Sequence, residues 1–355
     1  MVRISVKEAK DRITEIFMKS GVCEDESLII ADMLVEADQR GVHSHGILCT
    51  ARYVRLIREG KMRPNMSATV VKDNGVVAVW DGNHSSGQIL GYRAMEEAMK
   101  KAKEHGVGVV CVKGANHFGA LAYYAQMAQK AGMVGTVLGT GDSTMAPWGG
   151  CEKVIGNNPV AVAAPARNEV SPVLDMAMTV VANGKVSNMK RQGATEIPEG
   201  WGLDREGMPT TSMKDYYTIP PMAGYKGWGM AVMVDILAGT LFGGGTGDRA
   251  KDYADGPSLM MIAMDISAFN DEEKYYKDVD DRIHELKASK LAKNSKGILM
   301  PGEIEDGRFR ASEESGMVDV LPENLSMVND LAVEMGIEVI QTLRNDSTVC
   351  SGKRL

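Results

Sequence analysis

The histidines at positions 43 and 45 are side chains whose type and spacing could carry chemistry. They stand in the segment His43-Ser44-His45-Gly46, directly before a stretch with helical periodicity. An imidazole titrates near working pH, so it can exchange a proton with a substrate. A serine or histidine here could equally act as a helix N-cap. Two histidines one residue apart could also bind a metal and support a hydrolase, although no further ligand with recognisable spacing follows them.

A second histidine motif, Asn116-His117-Phe118-Gly119, lies between a predicted strand and a predicted helix. Strand carboxyl ends and helix N-termini are frequent ligand positions in α/β proteins. His117 is therefore a second candidate for acid–base chemistry or substrate binding, and a purely structural role is the alternative.

The glycine-rich segments lack the known nucleotide-binding fingerprints. The segment from Gly139 to Gly141 has no third glycine at the Rossmann spacing, and the segment 243–247 follows a helical pattern rather than a strand. Neither a Rossmann fingerprint nor a P-loop is present.

Composition and charge exclude several classes of protein. The 355 residues carry a formal net charge of −7, which argues against a nucleic-acid partner. No apolar run approaches the length of a membrane span. The five cysteines include no C-x-x-C pair, and no secretory leader is recognisable. We therefore expect a reducing, cytoplasmic location without a disulfide framework.

The elements that must position these residues indicate a mixed α/β fold. Helical periodicity dominates the first 60 residues, beginning at a capping box from Ser5 to Glu8. Asp73-Asn74-Gly75 between two strand patterns predicts a type I′ hairpin, and a long helix follows over 87–105. Strand and helix patterns then alternate, and the uniformly apolar segment 228–244 predicts a buried helix.

Several segments together resemble one known family. They are VHSHG, RYVRLIREG, NHFGALAYYA, GNNPVAVAAP, VLDMAMTVVANGKV, YKGWGMAVMVDILAGTLFGG and PGE. In order and spacing they resemble the type-2 malate/L-lactate dehydrogenase family. Its members include sulfolactate, ureidoglycolate and archaeal-type malate dehydrogenases, diketogulonate reductases and cyclic imino-acid reductases.

The resemblance implies a reaction and an architecture. The reaction is reversible hydride transfer between NAD(P) and a small 2-oxo or 2-hydroxy acid of the malate, lactate, sulfolactate or ureidoglycolate type. A cyclic imino-acid reductase is the alternative. The implied fold is α/β with a non-Rossmann NAD(P)-binding fold, a mixed sheet and a helical N-terminal region. A homodimer is implied, with a helical, substrate-side domain over 1–65 and 300–355 and an NAD(P)-binding domain over 66–299.

The resemblance also implies roles for individual residues. His45 matches the catalytic acid–base, Asp175 a nearby carboxylate, and His117 a substrate-binding residue or alternative catalyst. The substrate-binding residues would be Ser44, Arg52, Tyr53 and His117. The cofactor-binding residues would be Gly141, Asp142, Asn158, Pro159, Asp175, Met176, Ala177, Lys226, Gly227, Gly302 and Glu303. No metal is implied, and the cofactor is NAD or NADP, with NAD slightly favoured.

One departure from the family pattern concerns substrate recognition. The family commonly reads SHG-x-x-R-x-x-R-Y, and this chain reads SHGILCTARY. Cys49 therefore takes the first arginine position, while Arg52 and Tyr53 match the second arginine and the tyrosine. A thiol cannot replace a bidentate arginine on a carboxylate. Arg52 lies one helical turn further on and is the remaining candidate for that contact.

Overall fold

The structure is a computed structural model that describes residues 1–251 and 255–342. The chain forms two compact units. The terminal unit comprises Met1–Arg55 and the chain from Glu305 onward, and the central unit comprises Leu56–Ile304. These breaks in the chain fall ten and five residues from the approximate domain boundaries expected after residues 65 and 299. The assignment of substrate and cofactor to different domains stays a prediction.

Ten α-helices occur among the described residues. They are α1 (Val6–Lys19), α2 (Glu24–Gln39), α3 (Cys49–Arg58), α4 (Gly87–His105), α5 (Ala122–Lys130), α6 (Asn183–Arg191), α7 (Tyr225–Ala238), α8 (Glu272–Lys287), α9 (Glu303–Ser315) and α10 (Pro322–Glu334). None of these described helices is both long enough and apolar enough to cross a membrane.

The same part of the chain contains eleven strands. They are β1 (Val2–Ser5), β2 (Thr69–Asp73), β3 (Val77–Asp81), β4 (Val107–Lys113), β5 (Met133–Gly139), β6 (Val160–Ala163), β7 (Val173–Met176), β8 (Gly202–Leu203), β9 (Pro209–Thr210), β10 (Leu259–Asp265) and β11 (Met317–Val320). Together with the helices they confirm the predicted mixed α/β fold.

The terminal unit is mainly helical and includes one small sheet. Helix α1 begins as its capping box predicts, because the Ser5 hydroxyl accepts a hydrogen bond of 3.3 Å from the Glu8 amide. Its buried side chains recur at helical spacing and include Ile13, Ile16 and Phe17. Strands β1 and β11 pair antiparallel and join the N-terminal segment to the segment between α9 and α10.

The central unit is built on a seven-stranded mixed sheet with the order β2-β3-β4-β10-β5-β6-β7. Only β3 and β4 pair in parallel, and every other neighbouring pair is antiparallel. Strand β10 lies between β4 and β5, although more than a hundred residues separate it from either strand in the chain. Helices α4 and α5 pack against strands of this sheet.

The structure of α7 differs from the predicted buried helix over 228–244, because only one side of it is covered. Ala231, Val234 and Ala238 pack into a core cluster with the sheet. On the other side of the helix, Met230 and Met233 are 50% and 47% exposed. A uniformly apolar helix has no amphipathic pattern to show which face is covered. The helix also ends at Ala238 and is followed by a short 3₁₀ turn over Thr240–Phe242.

The predicted hairpin forms, but the prediction of a type I′ turn was wrong. Strands β2 and β3 pair antiparallel around a connection over residues 74–76. A type I′ turn needs positive φ at both central residues, and of Asn74 and Gly75 only Gly75 has it, at 91°. The Asn74 side chain instead accepts a hydrogen bond from the Val77 amide, which favours a longer connection.

Candidate active site

The loop between α2 and α3 carries the His43-Ser44-His45-Gly46 motif and is anchored by Asp38. The Asp38 side chain is fully buried, and its Oδ1 lies 2.7 Å from His43 Nδ1. Its Oδ2 accepts a hydrogen bond of 2.7 Å from the Ile47 amide. Burial raises the pKa of this carboxyl, and both hydrogen bonds oppose the rise. Asp38 was not among the residues predicted from the sequence, although it stands as a carboxylate near the end of helix α2.

Gly46 is required by the close approach of the Asp38 carboxylate. A Cβ at this position would lie 2.1 Å from Asp38 Oδ2. Any side chain would push the loop off the carboxylate, so the glycine belongs to the anchor.

His45 is held in a neutral state by its surroundings. Its Nδ1 lies 2.9 Å from Ser44 Oγ, and its amide donates to the Val42 carbonyl. The pKa of the imidazole is lowered to about 4, chiefly because burial keeps water away from the ring and secondly because Arg52 carries a positive charge. At neutral pH the ring is therefore an unprotonated base. Its catalytic role stays a prediction.

The three candidate residues on helix α3 differ in their exposure to solvent. Arg52 is partly exposed and acts electrostatically on His45. Tyr53 is only 1% exposed, so its ring belongs to the core. Cys49 is 5% exposed, and its thiol donates to the Ser44 carbonyl at 3.7 Å. Space for an arginine at position 49 would require its neighbours to move.

His117 lies in the loop between β4 and α5. The Gly119 amide donates to its Nδ1 at 3.4 Å, and its ring is parallel to that of Phe118 with the centroids 6.0 Å apart. A neutral ring that accepts at Nδ1 carries its proton on Nε2. Asn116, which is fully buried, holds the loop by donating to the His84 carbonyl at 2.7 Å.

Asp175, on strand β7, caps helix α5. Its Oδ2 accepts a hydrogen bond of 2.8 Å from the Ala122 amide, the first residue of the helix. A carboxylate is favourable at that position because the N-terminus of a helix carries unpaired N–H groups and partial positive charge. Asp175 thus has a structural function and lies at the same end of α5 as the loop that carries His117.

Asn158 ties together three segments that the resemblance assigns to the cofactor. Its Oδ1 accepts from the Gly141 amide at 3.2 Å. Its Nδ2 donates to the Ala231 carbonyl at 2.9 Å and to Asp235 Oδ1 at 2.7 Å, both on α7. The side chain is fully buried and therefore serves as an internal tether. Asp142, next to Gly141, is exposed.

The segment that follows β7 contacts the segment that precedes α7. The Met222 amide donates to the Met178 carbonyl at 2.9 Å, just beyond Met176 and Ala177. Met176 pairs with Val160, the residue after Pro159. Lys226 is exposed in the first turn of α7, and the N-cap residue of this helix is Gly224, which has no side chain to cap it. The neighbouring Gly227 is packed so closely that a Cβ would lie 2.2 Å from the Met222 carbonyl oxygen.

The turn at Gly302 and Glu303 lies beside the start of β7. The Pro301 carbonyl accepts from the Val173 amide at 2.9 Å. The Glu303 carboxylate is 2.7 Å from Lys287 Nζ and accepts from the Met300 amide at 2.8 Å. The hydrogen bond from Lys287 is the main cause that lowers the pKa of Glu303. This carboxylate is therefore an internal ion-pair partner.

No group of three or more His, Cys, Asp or Glu side chains that could hold a metal ion occurs among residues 1–251 and 255–342. The Nδ1 atoms of His43 and His45 face Asp38 and Ser44.

Comparison with known proteins decides the family. The model of the malate/L-lactate dehydrogenase family matches residues 4–328. The chain belongs to this family. This membership confirms the predicted NAD(P)-dependent oxidoreductase, a dehydrogenase of the small hydroxy-acid type.

Two relatives and one solved structure show how far the similarity to other family members extends. The malate/(S)-sulfolactate dehydrogenase of Methanothermus fervidus is 35% identical over 344 residues, covering 95% of this chain and 99% of the relative. The ureidoglycolate dehydrogenase (NAD(+)) of Escherichia coli K12 is 30% identical over 322 residues, covering 89% and 92%. The structure of the sulfolactate dehydrogenase from Methanocaldococcus jannaschii has a TM-score of 0.87 at 33% identity, covering 96% and 98%.

Proposed function

We propose that this dehydrogenase interconverts a small 2-hydroxy acid and the corresponding 2-oxo acid, with His45 as the acid–base residue. The observation that carries this proposal is the environment of His45, whose pKa is lowered to about 4 by exclusion of water and by Arg52. A neutral imidazole at pH 7 is the form that can accept the hydroxyl proton. A substrate carboxylate on Arg52 would offset the positive charge and favour the protonated ring, which reduction requires.

The chemistry assigned to the protein is proton transfer. In oxidation, His45 accepts the hydroxyl proton as the C–H bond breaks and the C=O bond forms. NAD(P), when bound, supplies the hydride acceptor for that hydrogen and its electron pair. In reduction, protonated His45 gives its proton to the carbonyl oxygen. A 2-hydroxy acid and NAD(P)⁺ thus yield a 2-oxo acid, NAD(P)H and one proton.

The residues near α7 have the donors and acceptors that a dinucleotide needs. Lys226 is exposed in the first turn of α7, whose N-cap residue is Gly224, and a lysine beside a helix N-terminus suits a pyrophosphate. Asp142 is exposed and can accept hydrogen bonds from ribose hydroxyls. A carboxylate there would repel a 2′-phosphate, which supports NAD over NADP. Asn158 and Gly227 would shape this region from inside.

Arg52 is the proposed carboxylate-binding residue. It acts electrostatically on His45, and Cys49 at the family's first arginine position is buried. Ser44, Tyr53 and His117 remain proposed contributors to the substrate side. Malate and sulfolactate are the first candidate substrates, because the Methanothermus fervidus relative is named for both.

The decisive experiment is absorbance at the reduced-nicotinamide band, with NADH and NADPH in parallel. The panel contains oxaloacetate, sulfopyruvate, pyruvate, 2-oxoglutarate, diketogulonate and a cyclic imine, with ureidoglycolate in the oxidative direction. Turnover of a 2-oxo acid is expected. Turnover of the imine alone would establish the alternative reductase activity, and loss of all activity with a chelator would favour a metal-dependent reaction.

Two histidine variants test the assignment within the active enzyme. His45→Ala is expected to lower kcat by roughly 10²–10⁴-fold, the range for loss of an acid–base group. His117→Ala is expected to lower it less. Nucleotide binding by fluorescence titration and the melting temperature serve as controls. If His117→Ala has the larger effect on kcat while both variants fold, the acid–base role belongs to His117.

We also propose that the protein is a homodimer that uses the exposed side of α7. Tyr225, Met230, Met233 and Ile236 of α7 and Leu241 of the following 3₁₀ turn are between 44% and 66% exposed. Exposed apolar side chains close together are uncommon on a monomer and mark interaction surfaces. A second copy of the chain would cover this patch. The cytoplasmic location expected from the cysteine pattern stays a prediction.

A further inference from the structure

Asp38 is a buried carboxylate that contacts the His45 loop on both sides of His45. One oxygen faces the His43 ring and the other accepts from the Ile47 amide, each at 2.7 Å. The distances are typical of hydrogen bonds strengthened by charge. His45 therefore lies within a five-residue segment whose two ends are bonded to a single side chain.

The closeness of Gly46 shows that the contact is specific. A Cβ on Gly46 would lie 2.1 Å from Asp38 Oδ2 and 2.2 Å from its Cγ, so the backbone lies directly on the carboxylate. The His45 amide also donates to the Val42 carbonyl at 3.0 Å. The backbone on both sides of His45 is thus restrained.

A buried carboxylate is unfavourable unless it is paired and hydrogen-bonded. The Asp38 side chain has no exposed surface. His43, whose side chain is 23% exposed, closes the solvent side of this contact with its Nδ1. The first histidine of the motif is therefore used as a partner of Asp38.

We propose that Asp38 is a positioning residue for the reaction, and that it holds the His45 imidazole in register for proton transfer through His43 and the Ile47 amide. This inference rests on the proposed role of His45. It assigns the two histidines of the motif different functions: His45 exchanges the proton, and His43 completes the anchor. Loss of the anchor lowers the rate of proton transfer without removing any group that contacts the cofactor.

Helix α2 offers a matched control in Glu36. This residue is also buried, and its carboxylate pairs with Arg40 at 2.7 Å. The Arg40 guanidinium lies 4.3 Å from the ring centroid of Phe309, so this ion pair packs towards α9. Glu36→Gln should therefore disturb a buried ion pair on the same helix and leave the His45 loop in place.

The test compares Asp38→Asn, His43→Phe, His43→Asn and Glu36→Gln by steady-state kinetics on the substrate found in the panel. Asp38→Asn keeps the shape of the side chain, but its NH₂ group would face either His43 Nδ1 or the Ile47 amide, the two groups that donate to the carboxylate. We expect Asp38→Asn and His43→Phe to lower kcat by about 10²-fold, the scale for misplacing a reacting group by about 1 Å. The Kd for the nucleotide should change less than about twofold, because the variants remove no group that contacts the cofactor. A tenfold change in Kd, which corresponds to about 1.4 kcal/mol, would indicate a lost contact.

The conservative variant His43→Asn should restore the kcat that His43→Phe loses. The asparagine introduced by His43→Asn would present an amide donor near the position of the imidazole Nδ1, so this variant should keep kcat within about threefold, a small part of the effect of misplacement. ¹⁵N spectra of histidine-labelled protein should show a changed His45 ring signal in Asp38→Asn and an unchanged one in Glu36→Gln. A merely structural role would lower the melting temperature of all variants without this division in kcat.

Each outcome bears on one hypothesis. If Asp38→Asn and His43→Phe fold and retain kcat, or if Glu36→Gln loses kcat equally, the positioning role is wrong. If Asp38→Asn fails to fold, His43→Phe at the partly exposed position decides the question. If His45→Ala itself retains turnover, the acid–base assignment fails first, independently of Asp38.

Discussion

Arg52 lies within electrostatic reach of His45. Exclusion of water lowers the pKa of the His45 imidazole, and the Arg52 guanidinium lowers it further, to about 4. The two residues are seven positions apart, one in the loop after α2 and the other on α3. The pairing gives a substrate carboxylate a second effect besides affinity, because its negative charge would restore the basicity of the histidine.

Replacement of Arg52 should separate these two effects. Arg52→Gln removes the positive charge, so we expect the KM of the acid substrate to rise by roughly 10–10²-fold, the scale of a lost charged hydrogen bond. The acidic limb of kcat/KM for oxidation should also move upward from about pH 4, because the His45 pKa rises towards its ordinary value. Arg55→Gln, an exposed arginine on the same helix, is the control. An unchanged acidic limb would contradict the coupling.

The same histidine should make stability depend on pH. The folded-state pKa of His45 is lowered from 6.5 to about 4, so the unfolded chain binds the proton more tightly between these values. The free energy of unfolding should therefore fall as pH drops from 6.5 towards 4, by on the order of 1–3 kcal/mol from this residue. Urea unfolding at pH 7 and pH 5 measures the change. In His45→Gln the difference between the two pH values should shrink, and an equal difference in both proteins would count against the lowered pKa.

Asn158 should link stability to nucleotide affinity. Asn158→Ala leaves Asp235 and the Gly141 amide without their bonds to this residue, and we expect a loss of about 2–4 kcal/mol in the free energy of unfolding. NADH affinity should fall as well, because the segment at Gly141 loses its tether. Asn294→Ala is the matched control, since Asn158 and Asn294 both have positive φ, at 36° and 70°, and Asn294 is exposed. Lost stability with unchanged NADH affinity would remove this segment from the cofactor site.

The exposed side of α7 should control oligomeric state. Met233→Glu places a charge in the apolar patch, so we expect the variant to elute and sediment as a monomer at concentrations at which the wild type is a dimer. Val333→Glu, at an exposed apolar residue of α10, should leave the assembly unchanged. A monomeric wild type would show that the protein does not dimerise. A Met233→Glu variant that stays dimeric would show that another surface forms the dimer.

Much of the local structure was predictable because its causes are local. Helix α4 was predicted over the residues at which it occurs, and Gly106 ends it with a φ of 83°. Strand β4 and the β2–β3 pairing followed from alternation and from the turn residues. Helices α6 and α9 were missed, because polar segments without a strong apolar stripe resemble loops in sequence.

By itself, the sequence determined the family, the mixed α/β class and the identity of the residues that could carry the chemistry, since motif order and residue type are properties of the chain alone. Only the tertiary structure decided that Asp38 anchors the His45 loop, that Asp175 caps α5 and that Asn158 is an internal tether. It also decided that β10 lies between β4 and β5 and that one side of α7 is exposed. Periodicity and capping act over a few residues, whereas most of these contacts join segments far apart in the chain. The Asp38 contacts are shorter in sequence, but they depend on the need of a buried polar group to find partners.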